Sequence, residues 1–362
     1  MDYEAEIKRL EDELRETQYN KATEHHFGVV KARIAELRRR SEKRGSTGKS
    51  SHGFDVKKTG DGTVVLLGFP SVGKSTLLNK LVGGNSKVAA YAFTTLTVIP
   101  GVLIHKGARI QILDVPGIVE GAASGRGRGK EVLAVLRTCD AIIILVDAQH
   151  PEHLPALMRE VFASNVRVNQ NVPDVKITRK ERGGIIVHGT VKISLSLDTI
   201  KAVLQQSRIN NADVVIREDV SIDQLLDVIE SNRSYLPALV VLGKADLVSK
   251  QQIYELKRRV HPDVVVSAHT GLGIDELKER LYSLLGFIRV FLKEVNKKPD
   301  LDEPMIVRSG TTIGVVCDRI HRELSRKFRY ARIWGPSSKF PGQVVRDKNR
   351  QLKDSDILEI HA

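Results

Sequence analysis

The sequence predicts an α/β fold in several parts, and three observations predict it. Gly68-Phe69-Pro70-Ser71-Val72-Gly73-Lys74-Ser75, followed by Thr76, matches the phosphate-loop pattern G-x-x-x-x-G-K-[ST]. Asp114-Val115-Pro116-Gly117 closes a second apolar run. Strand-like and helix-like stretches alternate on either side of both.

The phosphate loop has the context its chemistry requires. Val64-Val65-Leu66-Leu67 before it reads as a buried strand, and Thr76–Leu81 after it reads as a helix. Glycines let the backbone curl so that several N–H groups point at one phosphate, and the helix N-terminus adds partial positive charge there. Lys74 is expected to reach the β- and γ-phosphates, and the Ser75 hydroxyl to ligate Mg²⁺. Asp114, at a strand end, can hold the same ion through water, and the Gly117 N–H can bond the γ-phosphate. Thr94-Thr95 lies about twenty residues past Lys74, the interval for a loop that folds over the metal when the γ-phosphate is present. Base choice is assigned to Gly243-Lys244-Ala245-Asp246. The Asp246 carboxylate can accept two hydrogen bonds from guanine, and the Lys244 stem can lie along the base plane. Ser267-Ala268, after the next strand candidate, can place a backbone N–H on the guanine O6.

Elsewhere the chain reads in order as follows. Ile7, Leu10 and Leu14, then Val30, Ile34 and Leu37, recur at helical spacing, with a break expected at His25-His26-Phe27-Gly28. Adjacent histidines do not share a helix face, so these two read as solvated surface rather than metal ligands. Gly45–Gly53 reads as a Gly/Ser-rich joint. Residues 54–164 read as the first part of the α/β domain, with strands Gly101–His105, Ala108–Leu113 and Ala141–Val146 and a helix after Pro151. Residues 165–220 read as an inserted α+β module: two short strands within Gly183–Leu197, a helix Asp198–Gln206 and a strand Asp213–Ile216. The α/β pattern returns over 221–286, with a helix at Ser221–Glu230, strands Ala238–Leu242 and Asp263–Ser267, and a helix Ile274–Leu285. Residues 287–362 form a last block: strands Phe287–Leu292, Met305–Arg308, Arg329–Trp334, Gln343–Val345 and Ile357–Ile360, with one helix, Gly314–Leu324.

The chain has 362 residues, too many for one core, with 57 Lys+Arg against 44 Asp+Glu and a net charge of +13. That excess points to a polyanionic partner, RNA or the ribosome, against the alternative of a generic basic surface. The last block holds 16 Lys+Arg against 10 Asp+Glu. Its Trp334 stands near Arg332, Lys339, Phe340 and Arg346, as in RNA-stacking surfaces or, equally, as a core tryptophan among solvated cations. Cys139 and Cys317 lack disulfide or zinc spacing and read as core residues. The charged N-terminus and the lack of a bilayer-length apolar stretch argue for a cytoplasmic protein without membrane or DNA partners.

In these motifs the chain resembles the developmentally regulated GTP-binding proteins among the Obg-related translation-factor GTPases. The stretches GFPSVGKST at 68–76, YAFTTLTVIPG at 91–101, DVPGIVEGAASGRGRGKEVL at 114–133 and SAHTGLGIDEL at 267–277 carry the resemblance. It implies an N-terminal helical region over 1–53 and a phosphate-loop GTPase domain interrupted by a module similar to ribosomal S5 domain 2. It also implies a C-terminal TGS domain of β-grasp type over 287–362. By family position Phe93, Thr94 and Thr95 line the first switch, with Thr95 on the magnesium ion, and Val115 and Pro116 belong to the second. Catalysis falls to Lys74, Thr95 and Gly117. GTP and GDP are the implied ligands, Mg²⁺ the cofactor, and ribosomes, RNA and a protein partner or activator the implied associates. Two departures stand out. Gly243 replaces the Asn of the family's Asn-Lys-x-Asp, which loosens guanine binding by about 1–3 kcal/mol. Ser71 stands where potassium-activated relatives carry Asn, which leaves potassium stimulation open. Ile118 occupies the position of the water-orienting Gln of Ras-like GTPases, so slow intrinsic hydrolysis is expected. Arg126 and Arg128 either stabilise γ-phosphate charge or form a flexible basic loop. The competing functional readings are a non-enzymatic ribosome- or RNA-binding module with a structural nucleotide, and an NTPase of relaxed specificity.

Overall fold

A computed structural model describes residues 3–44, 60–83, 99–115, 135–136 and 138–362. In chain order its strands are β1 (Gly62–Leu67), β2 (Ile99–His105), β3 (Ala108–Asp114), β4 (Ala141–Asp147), β5 (Val166–Val168), β6 (Val175–Arg179), β7 (Ile185–Gly189), β8 (Ala212–Ile216), β9 (Ser234–Leu236), β10 (Ala238–Gly243), β11 (Val264–Val265), β12 (Phe287–Leu292), β13 (Met305–Arg308), β14 (Tyr330–Trp334), β15 (Gln343–Val345) and β16 (Asp356–His361). Its helices are α1 (Tyr3–Glu16), α2 (Glu24–Arg44), α3 (Lys74–Val82), α4 (His153–Ala163), α5 (Leu197–Gln206), α6 (Ile222–Glu230), α7 (Lys250–Val260), α8 (Ile274–Leu284), α9 (Ile313–Ile320) and α10 (Arg322–Lys327). No described helix is long and apolar enough to cross a membrane. The chain divides into two compact units, residues 1–52 with 170–235, and residues 53–169 with 236–362.

The larger unit is built on a six-stranded sheet in the order β11-β10-β4-β1-β3-β2, parallel except for the edge strand β2. Every residue of β1 and β4 is buried, which is why both read as continuous apolar runs rather than alternating ones. Leu77, Leu78 and Leu81 of α3 and Leu277 and Leu281 of α8 cover one face, while Leu157 and Val161 of α4 cover the other. Helix α7 is absent from the sequence expectations because it buries no side chain. A capping box between Ser249 and Gln252 starts it instead. The expected strand Asp263–Ser267 shrinks to two residues; Val266 still donates to Leu242 of β10, and Ser267 donates instead to the Leu272 carbonyl of the following turn.

The second sheet of this unit runs β13-β12-β16-β14-β15, with β12 and β16 parallel. Helix α9 lays Ile313, Val316 and Cys317 on Val290, Ile333 and Leu358. The single helix expected over Gly314–Leu324 breaks at His321, whose extended backbone (φ −163) ends α9 and whose ring accepts from the Glu323 N–H to start α10. Phe287, at the start of β12, belongs to the core of the first sheet, and Arg308 of β13 bonds Asp140 at 2.6 Å. Cys139 and Cys317 are both free and buried. Trp334 is half-buried, with the Lys293 ammonium 4.9 Å from its ring centroid.

The smaller unit pairs the first two helices with the inserted segment. A three-stranded sheet, β6-β8-β7, carries α5 and α6, whose Ile200, Val203, Leu225 and Leu226 share a core with Phe27 and Ala32 of α2. Helix α6, expected in the second part of the nucleotide domain, packs with α5 and α2, in the unit that extends to Tyr235. The helix break also moves. His25 to Gly28 lie inside α2, and the turn falls at 17–23, where Asn20 Oδ1 accepts the N–H groups of Ala22 and Thr23. Gly28 lies within the helix where a Cβ would stand 2.9 Å from the Thr199 methyl, so the glycine permits close helix packing. Of the two strands expected within Gly183–Leu197 only β7 forms. Ser194 bonds Asp219, and Ser196 caps α5 through the Thr199 N–H, so short polar side chains claim the backbone. The further strand of this sheet is β6, which pairs with β8 on the side opposite β7. His26 sits 3.1 Å from Glu13, and His25 is exposed.

Candidate nucleotide-binding site

Strands β1, β3, β4 and β10 deliver their carboxyl ends to one edge of the sheet, where ligands of open α/β sheets bind. Beyond β1 the chain runs through Gly68 to Gly73. Val72 is buried, whereas Pro70, Ser71, Ser75 and Thr76 face solvent. Gly73 caps α3 at φ 97, a left-handed conformation that residues with a Cβ rarely adopt, and Ser71 follows at φ 60. Lys74 folds back over this loop, with Nζ donating to the Gly68 and Phe69 carbonyls at 3.0 Å each.

Ser75 meets the end of β3. Its hydroxyl donates to Asp114 Oδ2 at 2.8 Å. Asp114 is 2% exposed, and its Oδ1 has no hydrogen-bond partner among the described residues. A buried, unpaired carboxylate oxygen beside a hydroxyl at a phosphate loop is the donor chemistry that a hard cation such as Mg²⁺ takes. Val115 continues β3 as a buried residue. Phe93, Thr94, Thr95, Pro116, Gly117, Ile118, Arg126 and Arg128, with the Gly45–Gly53 joint, lie outside the described residues.

A cavity of about 130 Å³ opens beside the loop, between Gly73 and Thr76 on one side and Leu145, Lys244, Asp246 and Ala268 on the other. Lys244 adopts φ 56, and Ala245 is buried with its N–H on the Val266 carbonyl at 3.1 Å. Asp246 is held below its ordinary carboxylate value, first by the Ser267 hydroxyl and further by the charges of His269 and Lys244. Ser267 is fully buried and also accepts the Thr270 N–H. Thus Gly68 to Thr76, Asp114, Val115, Lys244 to Asp246, Ser267 and Ala268 gather along one edge.

Sequence reading missed four residues here. Leu145 and His269 line the cavity. Asp147, at the end of β4, sits with Oδ2 2.8 Å from Lys244 Nζ. His153 stacks on Phe69 of the phosphate loop at 4.4 Å between centroids. Asp147 had a signal: like Asp114, it ends an apolar strand run. His153 had none, since its neighbour on the fold is 84 positions away in sequence. With His150 and Glu152 it brings possible metal-ligand atoms within 4.8 Å of one another on a mostly exposed turn.

Comparison with known proteins agrees with this geometry. Residues 63–178 match a family model described as a 50S ribosome-binding GTPase, and 182–287 match the model for the C-terminal region of that domain. Residues 288–362 match the TGS domain. An uncharacterized GTP-binding protein of Methanocaldococcus jannaschii is 50% identical over 99% of this chain and 93% of its own length. Developmentally-regulated GTP-binding protein 1 of Xenopus laevis is 42% identical over 98% of both chains. Ribosome-interacting GTPase 1 of Saccharomyces cerevisiae is 42% identical over 98% of this chain and 97% of its own. Likeness of this degree along nearly the whole length, over a phosphate loop and a TGS domain, makes the chain a GTP-binding protein of the developmentally regulated GTP-binding protein family.

Proposed function

We propose that the chain hydrolyses GTP to GDP and phosphate as a Mg²⁺-dependent switch that acts on the ribosome. The observation that carries the chemistry is the Ser75 hydroxyl on Asp114 Oδ2, with the buried Asp114 Oδ1 left without a partner among the described residues. Ser75 and Asp114, joined by Thr95, would hold Mg²⁺, which supplies neutralising charge between the β- and γ-phosphates. Lys74, now resting on loop carbonyls, would turn its ammonium to the phosphates. The Gly117 N–H would hold the γ-phosphate, and Phe93 and Thr94 would close over it. Asp246 and Lys244 would read the guanine, with the Ser267–Ala268 backbone on its O6. Ile118 cannot orient water, so turnover should be slow, and Ile118→Gln should raise it. An unchanged rate would remove that residue from the explanation.

Ribosome association draws on the name of the yeast relative and on the net charge of +13. The same charge supports RNA as the contact, in the cytoplasm, with a further protein as activator. The TGS block and the smaller unit, which we read as the S5 domain 2-like insertion with its N-terminal helices, would report the nucleotide state. Multiple-turnover phosphate release with GTP tests the enzyme. Lys74→Ala should lose at least about 100-fold of the rate. Equal release by both proteins would leave a binding module with a structural nucleotide.

A further inference from the structure

Gly243 removes the side chain that would brace the base cavity, and the structure shows what stands across from it. Gly243 of β10 pairs in register with Asp147 of β4. Asp147 is 6% exposed, and both its oxygens are engaged: Oδ1 accepts the Gln149 N–H at 2.9 Å, and Oδ2 lies 2.8 Å from Lys244 Nζ. A buried carboxylate has to be paired to be tolerated, and this one spends its charge on the lysine of the base motif. Lys244 in turn holds a left-handed backbone, and its Cε lies 4.0 Å from where a Cβ on Gly73 would stand. The lysine is thus tethered at its head by β4 while its stem runs past the phosphate loop and walls the cavity. The space at Gly243 is closed by Leu145, whose Cδ1 would be 3.0 Å from an added Cβ and which offers no hydrogen bond.

We propose that Asp147 is a positioning residue for the guanine nucleotide. By fixing the Lys244 ammonium from the neighbouring strand, it does the bracing that a residue at Gly243 cannot. The inference rests on the reading of Lys244 and Asp246 as the base-recognition pair, and its test separates the two. Affinity for a fluorescent GDP analogue is measured on the full chain for Asp147→Asn, Lys244→Met, the double variant and Asp246→Ala. Asp147→Asn keeps the shape and the acceptor for Gln149, and Lys244→Met keeps the stem and drops only the ammonium. Each should weaken GDP about tenfold, and the double variant should be no weaker than Lys244→Met alone, because both remove one contact. Melting of the nucleotide-free variants checks that the fold is intact. Should Asp147→Asn not fold, Lys244→Met alone still decides, since wild-type affinity there overturns the proposal. Additive losses in the double variant also overturn it. Wild-type affinity in Asp246→Ala would instead defeat the base-recognition reading itself.

Discussion

At the scale of single residues, a hydrogen bond from a neighbour decides how far into acid a carboxylate of the site stays ionised. Asp246 is the clearest case. The Ser267 hydroxyl is the first cause of its lowered carboxyl value, so the ionised form that can accept from guanine persists into acid. Affinity for GDP should therefore hold above that lowered value and fade as pH falls through it. Ser267→Ala removes the main cause, and the fading should begin at a higher pH. Nucleotide titrations between about pH 3 and 6 read the shift. Coincident curves for the two proteins would show that the hydroxyl does not tune the carboxylate. The place of Lys74 was legible in the sequence because the phosphate-loop pattern has a fixed local spacing, and that of Asp114 because it closes an apolar strand run. Leu145 and His269 were not, because they reach the cavity through strand order rather than sequence distance, and Asp147, though it ends an apolar run, meets Lys244 only across the sheet.

At the scale of elements, ion pairs and hydrogen bonds tie neighbouring segments together. Glu24, at the start of α2, is 4% exposed. Burial opposes its charge, and Lys21, the Ser196 N–H and the Thr199 hydroxyl overcome that opposition. Glu24→Ala should destabilise the α2–α5 pair by about 2–4 kcal/mol, read as faster hydrogen exchange in α5. Unchanged protection would mean that the apolar contacts alone hold the two helices. In the TGS block, the Arg289 guanidinium pulls the Asp354 carboxyl from 3.8 to about 2. A lowered value stabilises the fold above the ordinary carboxylate range, and that contribution is lost as pH falls from about 4 to about 2. Because Asp354 is 42% exposed, solvent screening limits the gain to about 1 kcal/mol. Asp354→Asn should thus be less stable than the parent near neutral pH, with the gap closing by about pH 2. Equal stability at neutral pH would assign the pair no net worth. Most elements were legible, since apolar runs marked β1, β4 and β10. Helix α7 was hidden because nothing on it is buried, and the missing strand before α5 was lost to serine and aspartate hydrogen bonds.

At the scale of the whole molecule, the excess of positive charge makes a prediction of its own. If the chain binds ribosomes through phosphate contacts, co-sedimentation should weaken steeply as salt rises, with log affinity falling linearly in log salt. Binding that is absent even at low salt would detach the ribosome from the proposed function. The sequence divided this molecule into five consecutive parts, whereas space divides it into two, because the first 52 residues fold with 170–235. That arrangement has a consequence for synthesis. The buried partners of Phe27 and Ala32, from Leu195 to Leu226, leave the ribosome roughly 165–200 residues later, about 8–40 s at ordinary elongation rates. Through that interval the emerging helix pair carries a bare apolar stripe with nothing yet made to cover it. A newborn chain of this protein must therefore keep its opening segment unaggregated while the entire phosphate loop and its first strands are still being translated.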